Sequence, residues 1–220
     1  MKKILAAALS LTLAFGALTA CGDSSSSSGS TAGTASSAEQ SSAVQPKTAV
    51  AEPDLLAHLI DGKPDYIGMT REEFDDATQY AYSDKNAIDH QEEEGTGTYD
   101  KYSLGSSDTM LHGRLKLDKA YEQYLTLSFA DGKLSKATVR IEKITKEEAV
   151  KICDDFLKAI DGKLPEGYTQ FKPVEHGKMC EVGFTKDRDD YVVSMRRDED
   201  FDGDYFVFFD LEIYSQRYKM

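Results

Sequence analysis

Two helix starts written in the same chemistry constrain the fold of this chain more than any other feature. Thr70-Arg71-Glu72-Glu73 and Thr145-Lys146-Glu147-Glu148 are both Thr-x-x-Glu capping boxes. In such a box the Thr hydroxyl accepts a hydrogen bond from the third helical amide, and the Glu carboxylate accepts one from the Thr amide. The two boxes lie 75 positions apart. After the second, Ala149, Ile152, Cys153, Phe156, Leu157 and Ile160 recur at helical spacing, and Gly162 offers a C-cap. After the first, Phe74, Ala77, Thr78 and Ala81 fall on the same register. A short helix at about 54–61, ending at Gly62, precedes it.

Each helix is followed by segments of period two, the signature of strands with one buried face. In the first half these are Leu115 and Leu117, then Leu125, Leu127 and Phe129, then Ala137, Val139 and Ile141. Asp131-Gly132 joins the last two as a hairpin turn. In the second half they are Cys180, Val182 and Phe184, then Tyr191, Val193 and Met195, then Val207, Phe209, Leu211 and Ile213. Weaker alternation at 98–104 and 168–174 brings each half to four strands. The reading is an α+β domain, an antiparallel sheet with helices packed on one face. Its architecture is a tandem helix-plus-four-strand repeat, 54–143 and 144–220.

A capped helix followed by four antiparallel strands, repeated at this period, resembles the β-lactamase inhibitor protein fold. Ile67-Gly68-Met69-Thr70-Arg71-Glu72-Glu73 is similar to the Gly-Met-Thr helix entry of small bacterial lipoproteins that share half of that fold. Ile144-Thr145-Lys146-Glu147-Glu148-Ala149-Val150-Lys151-Ile152 resembles the helix entry of PepSY domains, proposed as extracytoplasmic peptidase-inhibitory modules. These resemblances imply binding or inhibition through a sheet face and supply no catalytic residues.

The amino terminus places the domain. Lys2 and Lys3 precede an uncharged apolar run over residues 4–20, about 25 Å as a helix and short for a stable membrane span. It ends in Leu18-Thr19-Ala20-Cys21-Gly22. This resembles a bacterial lipoprotein signal peptide with its lipobox, which implies cleavage before Cys21 and acylation of the Cys21 sulfur, typically by palmitate. Residues 1–20 are then the signal peptide, and 21–53 are the lipidated Cys with a Ser-rich tether that cannot bury apolar area. As a flexible coil the tether reaches roughly 30 Å. The expected location is the extracytoplasmic side of the cell membrane, with the acyl chains of Cys21 as the membrane contact. Loss of Lys2 and Lys3 takes the net charge from −13 to −15. That balance argues against nucleic acid, which requires clustered Lys and Arg.

Four groups of residues are candidates for chemistry or recognition. Cys153 and Cys180 fall on apolar faces of a helix and a strand; a disulfide and a pair of buried thiols are the two alternatives. Asp198, Asp200, Asp202 and Asp204 with Gly203 copy the first half of a calcium loop, but Phe209 stands where the bidentate Glu should. A solvated acidic hairpin tip is the other reading of that segment. The run Asp89-His90-Gln91-Glu92-Glu93-Glu94 reads as a solvated loop. No nucleophile elbow, phosphate loop or metal-spaced His pair is present, so the expectation is a non-enzymatic protein. Finally, if Val207 to Ile213 face the helices, Phe206, Phe208 and Tyr214 face outward, with Tyr124 and Val192 in matching register. Aromatic anchors dominate interface energetics. The function read from the sequence is thus a lipid-anchored binding module that recognises a protein partner through this face. Calcium or small-ligand binding is the alternative.

Overall fold

The structure, a computed structural model, describes residues 49–213 except 80, 84, 94–96 and 187–190. These residues form a mixed α+β fold dominated by nine strands, with three helices among them. The helices are α1 (Ala57–Asp61), α2 (Arg71–Ala77) and α3 (Lys146–Ile160). The strands are β1 (Asp89–Glu93), β2 (Gly97–Met110), β3 (Leu115–Ala130), β4 (Lys133–Ile144), β5 (Thr169–Gln170), β6 (Val174–His176), β7 (Met179–Thr185), β8 (Tyr191–Glu199) and β9 (Tyr205–Ile213). All pairings are antiparallel, in the order β1-β2-β3-β4-β9-β8-β7-β5, with β6 also on β7.

Both capping boxes form. The Glu73 amide donates to the Thr70 hydroxyl at 3.3 Å and the Thr70 amide to Glu73 Oε2 at 2.8 Å; at Thr145 and Glu148 the same bonds measure 3.2 and 2.9 Å. Helix α1 ends at Gly62 in the left-handed conformation, where glycine carries no Cβ penalty. Helix α3 buries Ala149, Ile152, Cys153, Phe156 and Ile160, as its periodicity predicts. Helix α2 is shorter than its pattern. Thr78 turns its hydroxyl back onto the Phe74 carbonyl at 2.7 Å and Gln79 is left-handed, so the helix stops before Ala81 and buries Phe74 and Asp75 only.

The strands are longer and differently divided than alternation alone suggests. Leu115–Leu117 and Leu125–Phe129 belong to one strand, β3, because both ends pair with β2: Lys116 with Thr109, and, after a register shift that skips residues 117–120, Tyr121 with Ser107. The weak pattern at 98–104 becomes the 14-residue β2. That at 168–174 becomes the short β5 and the start of β6. The acidic run at 89–93 is an edge strand and not a loop, since its backbone pairs with Lys101–Gly97. Asp131 and Gly132 both have positive φ, the two-residue hairpin turn that Asp-Gly favours. Gly97 is required for a different reason: a Cβ there would lie 1.8 Å from the Phe129 carbonyl oxygen.

The domain also begins before residue 54. The Val50 amide donates to Ser103 O at 2.9 Å, and the Glu52 carboxylate accepts from the Leu111 and His112 amides at 2.8 and 2.9 Å. The last residues assigned to the tether are therefore hydrogen-bonded to the sheet.

One core runs through the molecule. Phe156 of α3 meets Phe184 and Phe209 at ring-centroid distances of 6.3 and 6.0 Å, and Phe74 of α2 meets Phe129 at 6.2 Å. Leu125, Leu127, Ala137, Val139, Ile141, Val193, Met195, Val207 and Leu211 fill the space between. Phe156→Ala is expected to lower stability by about 3–5 kcal/mol by opening a cavity, whereas Thr145→Ala, which removes a cap, costs about 1 kcal/mol. Urea denaturation of the two variants distinguishes these magnitudes.

Candidate functional site

The sheet face opposite the apolar set is built by three adjacent rows across the central strands. One row runs Tyr124, Arg140, Phe208, Arg196, Glu181 across β3, β4, β9, β8 and β7. The next runs Thr126, Thr138, Asp210, Ser194, Gly183, and the third Ser128, Lys136, Glu212, Val192, Thr185. These residues share a face because strand side chains alternate and the registers align them.

Phe206 and Phe208, expected as outward anchors, are half-buried and stack on each other at 6.2 Å. Both are covered by guanidinium groups. Arg140 Cζ lies 4.6 Å from the Phe206 ring and 5.2 Å from Phe208, and Arg196 Cζ lies 4.4 Å from Phe208 on the neighbouring strand. Tyr124, also half-buried, carries Lys101 Nζ 4.3 Å above its ring. Cation–π contacts of this kind contribute about 0.5–2 kcal/mol each, more as they are desolvated. Val192 corrects the expectation: it has the outward register but is 1% exposed, so it is not available as an anchor. Tyr214 and Cys21 lie outside the described residues.

Beneath the arginines lies a polar layer. Asp210 accepts from the Thr138 hydroxyl at 2.7 Å and faces Lys136 Nζ at 3.1 Å; Lys136 also faces Glu212 at 3.5 Å. Glu142 is shared by Arg140 Nε at 3.0 Å and Lys101 Nζ at 3.3 Å. Unpaired, the buried carboxylates of Asp210 and Glu212 would carry a large desolvation penalty, and Lys136 offsets it. Sequence patterning identified the aromatic residues of this face. It missed Arg140, Arg196, Lys101 and Lys136, whose only signal was outward parity, since cross-strand register is not written in a single strand.

The other candidates resolve differently. Asp198–Asp204 is the β8–β9 hairpin tip, and Asp200 Oδ1 accepts from the Asp202 and Asp204 amides at 2.9 and 3.0 Å. Its carboxylate is spent on the turn, and among the described residues no three His, Cys, Asp or Glu side chains converge as a metal-binding group. The segment has the geometry of the acidic hairpin tip. Phe201 stands fully exposed at that tip. Cys153 and Cys180 are both buried free thiols, so the disulfide alternative is not realised. Burial pushes the Cys153 thiol up to about 12, which keeps it protonated and unreactive at neutral pH.

A second polar cluster escaped the sequence reading. Arg71, the first residue of α2, donates to Asp100, to the Tyr102 hydroxyl at 2.8 Å and to the Tyr82 carbonyl at 2.7 Å, while its Nε reaches Asp75 at 3.1 Å. Asp100 is fully buried and receives His90 Nδ1 from β1 at 2.5 Å. Helix α2, strands β1 and β2 and the loop at Tyr82 are thereby tied together, which fits a structural lock.

No family model, curated protein or solved structure matches the chain. Among the described residues, no helix is long and apolar enough to cross a membrane.

The hydrogen bond to Asp100 raises the His90 imidazole above its ordinary value. A group whose folded pKa is raised stabilises the fold fully below its unfolded value of about 6.5, and that contribution is lost as pH rises through the higher folded value. The stability difference between wild type and His90→Gln is therefore expected to shrink as pH is raised from about 6 towards 9. Urea denaturation across that range measures it, and a difference that grows with pH contradicts the assignment.

Proposed function

We propose that the chain is a lipid-anchored, extracytoplasmic, non-enzymatic binding module that recognises a protein through the outer face of its central strands. The observation that carries this reading is the half-exposed aromatic pair Phe206–Phe208 held under Arg140 and Arg196. Aromatic and Arg side chains are the residues most enriched at binding hot spots, because they bring contact area and directional donors at once. Several observations bear on the architecture behind it. Each capped helix is followed by its own run of strands, and the two runs meet at their last members, β4 and β9. Phe74 and Phe156 both reach the apolar side of the sheet. These support a tandem helix-plus-strands repeat with the helices on the face opposite the arginines. The likeness to β-lactamase inhibitor protein-like folds rests on that arrangement and on the Gly68-Met69-Thr70 helix entry.

The anchor is proposed from the lipobox ending at Cys21. Two or three acyl chains, each contributing about 0.8 kcal/mol per buried CH₂, hold a protein stably at a bilayer. The acidic domain would be repelled by an anionic lipid surface, so a Ser-rich spacer presents the sheet face to partners away from it. Calcium binding at Asp198–Asp204 loses support, because Asp200 is occupied by backbone amides.

Two experiments test the reading. Cys21→Ser is expected to abolish palmitate incorporation and release the protein from the membrane fraction; a variant that stays labelled and membrane-bound rejects the anchor. Immobilised wild-type protein and the Phe206→Ala/Phe208→Ala variant are then exposed to solubilised cell envelope. The variant is expected to lose a protein that the wild type retains, and identical capture profiles reject recognition through this face.

A further inference from the structure

Protein recognition through the outer face leaves the chemistry of the partner open, and the arginine pair narrows it. Phe208 has Arg140 as its cross-strand neighbour on one side and Arg196 on the other. Each guanidinium meets a protein carboxylate only through Nε: Arg140 faces Glu142 at 3.0 Å, and Arg196 faces Asp210 at the longer 3.7 Å. The Arg140 Nε is buried without hydrogen-bond geometry. Among the described residues, the terminal amino groups of both arginines meet no acceptor. A guanidinium fixed by stacking, with its planar fork unfilled, matches the two oxygens of a carboxylate.

Depth separates the charges. The Asp210 and Glu212 side chains are 1% and 6% exposed, whereas those of Arg140 and Arg196 are 28% and 27% exposed. Asp210 and Glu212 face Lys136, Glu142 is shared with Lys101, and Glu181, opposite Arg196, is buried and engaged. Asp210, Glu212 and Glu181 thus form a buried floor, while Glu142, 21% exposed, lies at the level of the cations and rings of the rim. An independent observation lies in the same floor. Ser194, on the same face two residues from Arg196, is fully buried, and among the described residues its hydroxyl has no hydrogen-bond partner. Buried hydroxyls are ordinarily paired, and this one sits in the row beside the arginines.

We infer that the Arg140–Phe208–Arg196 ladder is a receptor for carboxylate side chains of an acidic segment on the partner protein, each guanidinium fork taking one carboxylate above the Phe208 ring. This deepens the protein-recognition reading and rests on it. The overall charge of −13 opposes an acidic partner only at long range, because at physiological ionic strength charges beyond about 8 Å are screened. Contact energetics then decide.

The test uses the full mature chain in detergent micelles at physiological salt, with fluorescein-labelled hexaglutamate and hexaglutamine as probes read by anisotropy. Hexaglutamate is expected to bind and hexaglutamine not. Arg140→Gln and Arg196→Gln are each expected to weaken hexaglutamate binding about tenfold or more, with Arg196→Lys recovering only part, since an ammonium lacks the fork. Side-chain amino resonances of the two arginines in the unaltered protein, expected to shift on titration with glutarate, supply a readout that no folding defect can mimic. Equal binding of the two peptides, or variants that bind as wild type does, overturns the inference. So does inorganic phosphate displacing hexaglutamate at lower concentration than glutarate. The two readings fail separately. If hexaglutamate does not bind while Phe206→Ala/Phe208→Ala still loses a captured protein, the carboxylate receptor falls and protein recognition stands. If hexaglutamate binds but capture is unchanged, protein recognition falls, and the partner assignment with it.

Discussion

The pairing of β4 with β9 is the constraint on which the rest of the structure depends. It joins residues some 70 positions apart in sequence, Ala137 to Leu211, Val139 to Phe209 and Ile141 to Val207, and it makes one sheet of two sets of hairpins. The same register fixes both faces. On one side it aligns the apolar residues that receive Phe156 of α3. On the other it sets Arg140 opposite Phe208 and Thr138 opposite Asp210. A slip of one residue would exchange the faces, bury the arginines in the core and expose Phe209. Because the seam is non-local, its loop entropy must be met before the contacts reward it. Local hairpins such as Asp131-Gly132 are therefore expected to form before it during folding.

The two polar clusters follow a common logic. In each, a buried carboxylate is made tolerable by a cation and neutral donors placed around it: Asp100 by Arg71 and His90, Asp210 by Lys136 and Thr138. Such sites contribute modest net stability, because desolvation offsets the attraction. Losing one partner is nevertheless expensive. They differ in what they leave over. Arg71 uses Nε and both terminal amino groups within the protein. Arg140 and Arg196 meet protein carboxylates through Nε alone. On the proposed reading, this difference separates a structural lock from a binding surface.

The legible part of the fold was local. Capping boxes at Thr70 and Thr145, the stripe of α3 and the Asp131-Gly132 turn are decided within a few residues by hydrogen bonds and handedness, so the sequence reading and the structure agree there. Where distant pairing decides, they part. The composition of β1 suggests a loop, although its backbone pairs with β2. Alternation divides β3 into two segments, although both pair with the same partner, β2, on either side of a register shift. Val192 had the correct parity for the outer face, but parity does not report cover, and it is buried. Phe206 and Phe208 were named without the arginines that stack on them, because those come from strands β4 and β8 whose relative order no local pattern states.

The sequence by itself thus determined the character of each segment: an amino-terminal apolar run ending before Cys21, a Ser-rich stretch with little apolar area to bury, two capped helices and a set of half-apolar strands. These follow from composition, periodicity and short-range hydrogen bonding, which act between neighbours in the chain. Only the tertiary structure decided that the last strands of the two halves pair. Only it left Cys153 and Cys180 as free buried thiols, turned Asp200 onto its own backbone and brought Arg140, Phe208 and Arg196 into one row. The physical reason is that a strand fixes the spacing of its side chains along itself, while their neighbours across the sheet are fixed by which strand it pairs with and in what register.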